Sequence, residues 1–394
     1  MKKIAFVMNA PGLGGAERSM VHQSLLLSSG IEKDYYLPFV NNESECKKFK
    51  SFLLSQNIAL DNIYTFQFHS GLYKVSRSSK FLNIFSFIYG CFSSFNSLKR
   101  LNLESYDKVW CNGNKISVLL SLFIFIFRKD ISYIWHWRDY PPTGGVFQKL
   151  IRFLNNRNIG NLSHIGNSFD VSKNLTSFFS NNKKTKVMTV YNPVGEDIHP
   201  PKNLRKGSYT IGIVSMFSDW KGVHNALLLF AMYENELKKL NISSIKVFGG
   251  EIYKTSGDHN NISKEYEKLL DKLDCDFISF EGLVDPVEIY AQVDCLFHCS
   301  NKKEPFGRVI VESFKAKVPV VSTSLGGSYE LVVSNDLGWK VFPYDYKGQL
   351  QVFKNIFNNI NSSDVKFLEK IDRAYLFSNE LNSLVKKQLS EAIC

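Results

Sequence analysis

Seven cysteines, at positions 46, 91, 111, 275, 295, 299 and 394, include no C-x-x-C pair and no zinc-site spacing. This excludes a disulfide scaffold and a structural zinc module, and it reads as buried thiols in a reducing compartment. Long hydrophobic runs are also missing. The longest, Ile116–Phe127, is twelve residues, too short to span a bilayer. At the start, Lys2 and Lys3 lead into an apolar run that Asn9 ends before the length of a signal-peptide core. That run reads better as a first buried strand. A cytoplasmic chain at most peripheral to the inner membrane face is therefore expected. No basic stripe accompanies a nucleic-acid recognition motif, so nucleic acid is not expected as a partner.

What is present suits two α/β domains. The 394 residues are 44% hydrophobic and 22% charged, enough for two buried cores. Charge is uneven: residues 1–190 carry 24 Lys and Arg against 11 Asp and Glu, or +13, while residues 191–394 carry 24 against 26, or −2. The first half thus holds all of the excess of the net +11. Such a half suits an anionic lipid surface or a polyphosphate.

The most informative stretch is residues 298–330, HCSNKKEPFGRVIVESFKAKVPVVSTSLGGSYE. A strand is expected over Val293–Cys299, a helix over Gly307–Lys317 and a second strand over Val318–Ser322. A Gly326-Gly327 turn follows. Strand, loop, helix and strand make half of an open parallel sheet, whose ligands bind at the carboxyl ends of the strands. Pro305 fits near the first helical turn, where a missing N–H costs nothing. Gly307 permits close backbone approach. The helix start would suit a diphosphate. Glu304 lies just outside the helix, placed to accept hydrogen bonds from a sugar. Glu312 is five residues beyond Gly307, roughly 7–8 Å along the axis, about the span from a diphosphate to a ribose. The competing reading is an exposed Glu304 and a surface Arg308–Glu312 pair at i,i+4.

The stretch EPFGRVIVESFKAKVPVVSTSLGGSYELV resembles the glutamate–seven–glutamate signature of the retaining glycosyltransferases of the GT-B fold, family GT4. Glu304, Phe306, Gly307, Glu312, Ala316, Pro319, Gly326, Gly327 and Glu330 fall in register. The resemblance covers most of the chain and is strongest over residues 209–345. It implies two Rossmann-like domains whose parallel sheets face a central cleft. The expected division is an acceptor domain over 1–192, a hinge over 193–208 and a nucleotide-sugar domain over 209–375. A last helix over 376–394 would cross back to the first domain.

The resemblance also distributes the site along the chain. After the strand Ile4–Met8, the run G-G-A-E-R places Gly14 and Gly15 near the donor diphosphate, with Glu17 and Arg18 settling the helix start. A strand over Ile131–Trp135 delivers His136, which takes the place of the family's sugar-facing histidine. Lys221 in MFSDWKG matches the phosphate-binding lysine, but the accompanying arginine is absent and Met216 or a neighbour stands there. Leu283, in the loop after Asp276–Phe280, is the candidate for the nucleobase. With Phe306, Gly307 and Glu312 these form the donor site, and Glu304 and His136 are the candidate catalytic residues. No D-x-D motif accompanies the two glutamates, and the family generally uses no metal.

The sequence thus leads to a retaining, metal-independent hexosyltransferase. It would use a nucleotide-diphospho-sugar, UDP-linked rather than GDP-linked, and would need no cofactor. The acceptor would be a glycan, lipid-linked, in capsule-type or O-antigen polysaccharide biosynthesis. A helix in 69–101, with Lys74, Arg77 and Lys80 leading into a run of aromatics, would pack one face in the core and touch lipid with its tip. Two alternatives remain open here: a nucleotide-sugar epimerase or hydrolase on the same fold, and a non-catalytic nucleotide-sugar binding protein. The missing arginine favours the latter.

Overall fold

The computed structural model describes residues 1–68, 80–158, 161–195, 197–200, 207–250, 262–273 and 275–393. Lys74, Arg77, Glu196 and the side chains of residues 80–88 lie outside the described residues. The chain divides into two units, Met1–Pro193 with Leu384–Cys394, and Val194–Ser383.

The first unit holds strands β1 (Lys2–Val7), β2 (Ile31–Phe39), β3 (Ile63–Gln67), β4 (Lys108–Asn112), β5 (Tyr133–Trp137), β6 (Leu162–Gly166) and β7 (Lys186–Thr189). All pairs are parallel, in the order β3-β2-β1-β4-β5-β6-β7. The intervening helices are α1 (Gly15–Leu25), α2 (Lys47–Ser55), α3 (Lys80–Arg100), α4 (Asn114–Phe127), α5 (Gly145–Arg157) and α6 (Phe169–Phe178). A parallel strand is covered on both faces, so it reads as a continuous apolar run. β5, YIWHW, is buried at every residue. Its Trp135 and Trp137 point to one face and stack at 4.7 Å between ring centroids. They share a core with Phe95 of α3, Leu119 of α4, Ile151 of α5 and Leu175 of α6. Ile134 and His136 point to the other face by the alternation of a strand. In α3, Cys91, Phe95 and Leu98 are buried while Tyr89 and Phe92 are exposed, so the helix divides between core and solvent.

The second unit holds β8 (Tyr209–Val214), β9 (Ile242–Phe248), β10 (Ile278–Gly282), β11 (Cys295–His298), β12 (Val320–Ser322) and β13 (Trp339–Lys340), parallel in the order β10-β9-β8-β11-β12-β13. Its helices are α7 (Val223–Met232), α8 (Glu234–Lys238), α9 (Ile262–Leu273), α10 (Pro286–Tyr290), α11 (Arg308–Lys315), α12 (Gly327–Tyr329), α13 (Tyr346–Ser362) and α14 (Val365–Ile393). Several boundaries are set locally. α7 and α8 are divided at Tyr233. α13 ends where Ser363 turns left-handed at φ +53°. α10 starts after Asp285, whose side chain caps it by accepting from the Val287 N–H at 3.1 Å. α11 starts at Arg308 with Gly307 as its cap, so Pro305 stands outside the first turn.

Strand order reverses between β1 and β4 in the first sheet and between β8 and β11 in the second. At such switch points the loops leaving the two strands diverge and open a crevice.

Candidate active site

In the second unit the loops leaving β8 and β11 bring their polar side chains into contact. The β8 loop ends in a single turn, Asp219–Lys221, and passes to α7 through Gly222 at φ +73°. A Cβ at 222 would stand 2.0 Å from the Cys299 carbonyl oxygen, so only glycine lets the two loops lie against each other. The lysine was expected at the start of a helix; it sits instead in the turn before one. From the β11 loop, Glu304 is pinned by its backbone. Its N–H donates to the Leu325 carbonyl at 2.8 Å, and its carbonyl accepts from Gly327 at 2.7 Å. The Gly326-Gly327 turn therefore serves to anchor Glu304.

The Glu304 side chain is 8% exposed. Its Oε2 accepts from Lys221 Nζ at 2.6 Å, from Ser300 Oγ at 3.2 Å and from His298 Nε2 at 3.3 Å. Burial alone would push this carboxyl up. The Lys221 ammonium, with His298, outweighs burial and holds it well below the usual carboxylate range. Glu304 is thus an anion at any working pH, and a strong acceptor for hydroxyl groups.

On α11, Gly307 takes φ +93° and Glu312 is 3% exposed. The i,i+4 pair read from the sequence forms, with Arg308 Nε on Glu312 Oε1 at 2.6 Å, but it is buried and not at the surface. Tyr290 Oη lies 3.2 Å from Glu312 Oε2 and 2.9 Å from the Val309 carbonyl. The exposed surface pair is therefore overturned. A buried carboxylate oriented from two sides is a prepared acceptor. Phe306 is buried at 2%, which leaves its backbone rather than its ring for a ligand. Leu283 stands beyond the end of β10 and is 70% exposed.

In the first unit, Gly14 caps α1 and Gly15 is its first residue. Glu17 turns back to accept from the Gly14 N–H at 3.2 Å. Burial raises its carboxyl to about 7, although Arg138 and the backbone N–H groups work against this. Its value at the helix start is thus a hydrogen bond more than a charge. Arg18 lies over the Phe52 ring. Behind the glycine loop, Arg138 gathers three elements. It donates to Asn112 Oδ1 at 2.6 Å, to Asn192 Oδ1 at 2.6 Å and to Gln23 Oε1 at 3.0 Å.

His136 is the fourth residue of β5 and is fully buried, not in the following loop as expected. β5 runs two residues past the expected end because Trp135, His136 and Trp137 all pair with β6. The Trp110 Nε1–H donates to His136 Nδ1 at 3.1 Å, which places the ring proton on Nε2. Nε2 is buried and has no hydrogen-bond partner among the described residues. Burial, and then Arg138, hold this imidazole well below its ordinary value, so it stays neutral. Its available chemistry is that of an uncharged N–H donor.

The structure therefore brings Lys221 and Glu304 into direct contact, with Gly307 and Glu312 on the adjoining helix. Gly14, Gly15 and His136 lie in the first unit. Sequence reasoning missed His298, Ser300, Tyr290 and Arg138. The signal for His298 was its place as the last residue of a strand entering the loop of Glu304. Among the described residues no group of three or more His, Cys, Asp and Glu side chains is arranged to hold a metal ion.

Comparisons with known proteins agree with this architecture. Residues 195–365 match the family described as Glycosyl transferases group 1. Over 198 residues the chain is 22% identical to the capsular polysaccharide biosynthesis glycosyltransferase CapM of Staphylococcus aureus, a match spanning 48% of this chain and 49% of that protein. Among solved structures, Anabaena HepE in complex with UDP and glucose superposes at a TM-score of 0.71 and 20% identity, covering 100% of this chain and 99% of that one. A TarM structure from S. aureus, in complex with Fondaparinux, alpha-GlcNAc-glycerol and UDP, superposes at 0.70 and 13% identity, covering 100% of both chains. The chain has the GT-B fold, and residues 195–365 of its second unit match the group 1 glycosyl transferases.

Proposed function

We propose that the protein is a retaining glycosyltransferase that moves a hexose from a nucleotide-diphospho-sugar, UDP-linked, to a glycan acceptor. The observation that carries this reading is the Lys221–Glu304 contact at 2.6 Å, at the switch point of the second sheet. One cation, one fixed carboxylate and the start of α11 converge where a diphosphate and a sugar would lie side by side. Lys221 and the α11 N–H groups would take the charge that builds on the departing diphosphate. Glu304 would hold sugar hydroxyls and Glu312 the ribose. The anomeric C–O bond to the diphosphate breaks, and the acceptor oxygen bonds to the same face. The acceptor proton leaves with the diphosphate oxygen. In the first unit, the Gly14–Gly15 turn would suit close approach of a phosphate, and the His136 Nε2–H would suit a sugar hydroxyl. Leu283 and the backbone at Phe306 and Gly307 complete the donor side. No metal or cofactor is called for in this scheme.

The similarity to CapM and the basic first unit together support a lipid-linked acceptor in cell-surface polysaccharide synthesis. α3, α4 and α5 contain seven Lys and Arg and no Asp or Glu in 21, 14 and 13 residues. Phe125 of α4 packs edge-on against Phe153 of α5 at 5.2 Å, Arg157 lies over both rings, and both are about 40% exposed. No described helix is long and apolar enough to cross a membrane, so this face would rest on anionic lipid.

Thermal shift against UDP-, GDP- and ADP-sugars, with wild type and Glu312→Ala, tests the donor. Stabilisation by a UDP-sugar that Glu312→Ala abolishes is the expected result; no shift with any donor sinks the reading. Flotation on vesicles with and without phosphatidylglycerol tests the membrane arm, and binding indifferent to lipid charge and to salt would remove it. Met216 in place of an arginine favours a second reading, nucleotide-sugar binding without transfer. Bound donor with no product under any acceptor would establish it.

A further inference from the structure

We propose that His298 is a positioning residue for Glu304, locked in one tautomer by Ser322. The argument follows the protons. The Ser324 N–H donates to Ser322 Oγ at 2.9 Å, so that oxygen already accepts a hydrogen bond. Ser322 Oγ is 3.0 Å from His298 Nδ1, with its hydroxyl proton available to donate there. Nδ1 then accepts, and the neutral ring carries its proton on Nε2. Nε2 faces Glu304 Oε2 at 3.3 Å. The other tautomer would leave Nε2 as a bare acceptor against a carboxylate oxygen, two lone pairs facing each other.

Burial makes the arrangement strict. His298 is 6% exposed, Ser322 0% and Ser300 2%. None of the three can turn to water when a partner is lost. The relay joins two strand ends and a loop, because β12 carries Ser322, β11 carries His298 and the following loop carries Glu304. It holds Oε2 on the side of Lys221, and Ser300 donates to the same oxygen at 3.2 Å. Lys221 supplies charge but sits on a long flexible stem. The imidazole is rigid, so His298 fixes the direction of the carboxylate. A sugar that binds Glu304 therefore meets an oriented acceptor without ordering cost at the moment of binding.

The consequence for activity rests on the proposed function above, whereas the tautomer does not, and the experiment separates them. The full chain is labelled with 15N-histidine and its ring nitrogens recorded by NMR in wild type, Ser322→Ala and Glu304→Gln. His298→Gln assigns the signal by its loss. We expect an Nε2–H tautomer for His298 in wild type, a mixture of both tautomers in Ser322→Ala, and a shifted Nε2 signal in Glu304→Gln. An Nδ1–H tautomer in wild type, or an Nε2 signal unmoved by Glu304→Gln, overturns the proposal. The second arm uses UDP-glucose and UDP. His298→Leu lowers kcat/KM about tenfold or more, the worth of one hydrogen bond to a charged group, and leaves UDP affinity unchanged. His298→Gln, which keeps an N–H donor, recovers most of the loss. Equal weakening of UDP and UDP-glucose binding, or no recovery with Gln, would reduce His298 to packing. If UDP-glucose is not turned over at all, that use of the site fails while the NMR arm still decides the tautomer.

Discussion

Replacing Lys221 by methionine isolates the ion pair at the centre of the site. The pair is close, at 2.6 Å, with side chains 17% and 11% exposed. At an effective dielectric of ~20 its gross attraction is about 6 kcal/mol. Removing two ions from water costs several kcal/mol each, so the pair as a whole is close to neutral for stability. Breaking it is not. Lys221→Met keeps the length and apolar stem but strands a buried carboxylate, at a cost of about 3–5 kcal/mol. For a unit of this size that lowers Tm by roughly 10 °C. Glu304→Gln costs less, because the lysine stem can carry its ammonium outward to water. The double variant Lys221→Met with Glu304→Gln returns most of the stability, since no buried charge is left.

The pH dependence has a defined sign. In wild type Glu304 is held below its ordinary value of 4.5, so its contribution is present above that pH and is lost as the pH falls. In Lys221→Met the lowering charge is gone and burial raises the carboxyl. Its ionisation then opposes folding, and stability drops as the pH rises past about 4.5. The gap between variant and wild type should therefore widen from pH 4.5 to pH 8. Scanning calorimetry across that range reads it directly. A gap independent of pH, or a double variant no better than Lys221→Met alone, would show that the pair is not the source of the effect.

Glu17→Gln should act in the opposite direction. Its carboxyl, raised from 4.5 to about 7 by burial, lets stability fall as the pH rises between those values. The amide removes up to about 3 kcal/mol of that loss at pH 8 and changes nothing at pH 4, as urea titrations at the two pH values would show. Gly222→Ala forces a side chain into a left-handed turn against the Cys299 carbonyl. A loss of about 3 kcal/mol or more is expected, and an unchanged Tm would contradict the geometry of the two loops. Trp110→Phe deprives the buried His136 Nδ1 of its donor. It should cost about 1–3 kcal/mol in urea unfolding, with far less cost if His136 is also changed to phenylalanine.

Much of this was legible in the sequence because parallel strands are buried on both faces and so write themselves as short apolar runs. β1 and β12 fall where the runs at Ile4 and Val318 place them, to within a few residues. The breaks at Tyr233 and Ser363 were not legible. Neither is a glycine or proline, although Ser363 takes the left-handed conformation. The two glutamates could be named from the resemblance of the whole stretch 304–330, but not their surroundings. Lys221 and Glu304 meet across 83 residues of chain. Whether the Arg308–Glu312 pair is at the surface or buried depends on Tyr290, 22 residues away from Glu312. His136 drew attention as a histidine at the end of a strand, in the place of the family's sugar-facing histidine. What sets its proton is Trp110 on the neighbouring strand, and strand pairing is not visible in a linear sequence.

The two sheets solve the same problem with different chemistry. Each places a histidine near the carboxyl end of a strand at or beside its switch point, His136 on β5 and His298 on β11. Each ring accepts a hydrogen bond at Nδ1 from a buried neighbour, Trp110 in one case and Ser322 in the other. Both are thereby left with Nε2–H as a donor. His298 spends that donor on Glu304 within its own unit. His136 has no described partner for it, and an unmade buried hydrogen bond costs about 1–3 kcal/mol. A fold keeps such a cost when a ligand repays it. In the role proposed for it, His136 would complete its hydrogen bond on binding, whereas Glu304 in the second unit is already oriented by Lys221 and His298. The double variant Trp110→Phe with His136→Phe, which strands neither partner of the buried hydrogen bond, should then lower substrate affinity while costing the unliganded protein little stability; parallel loss of both would mean that the ring is there for packing.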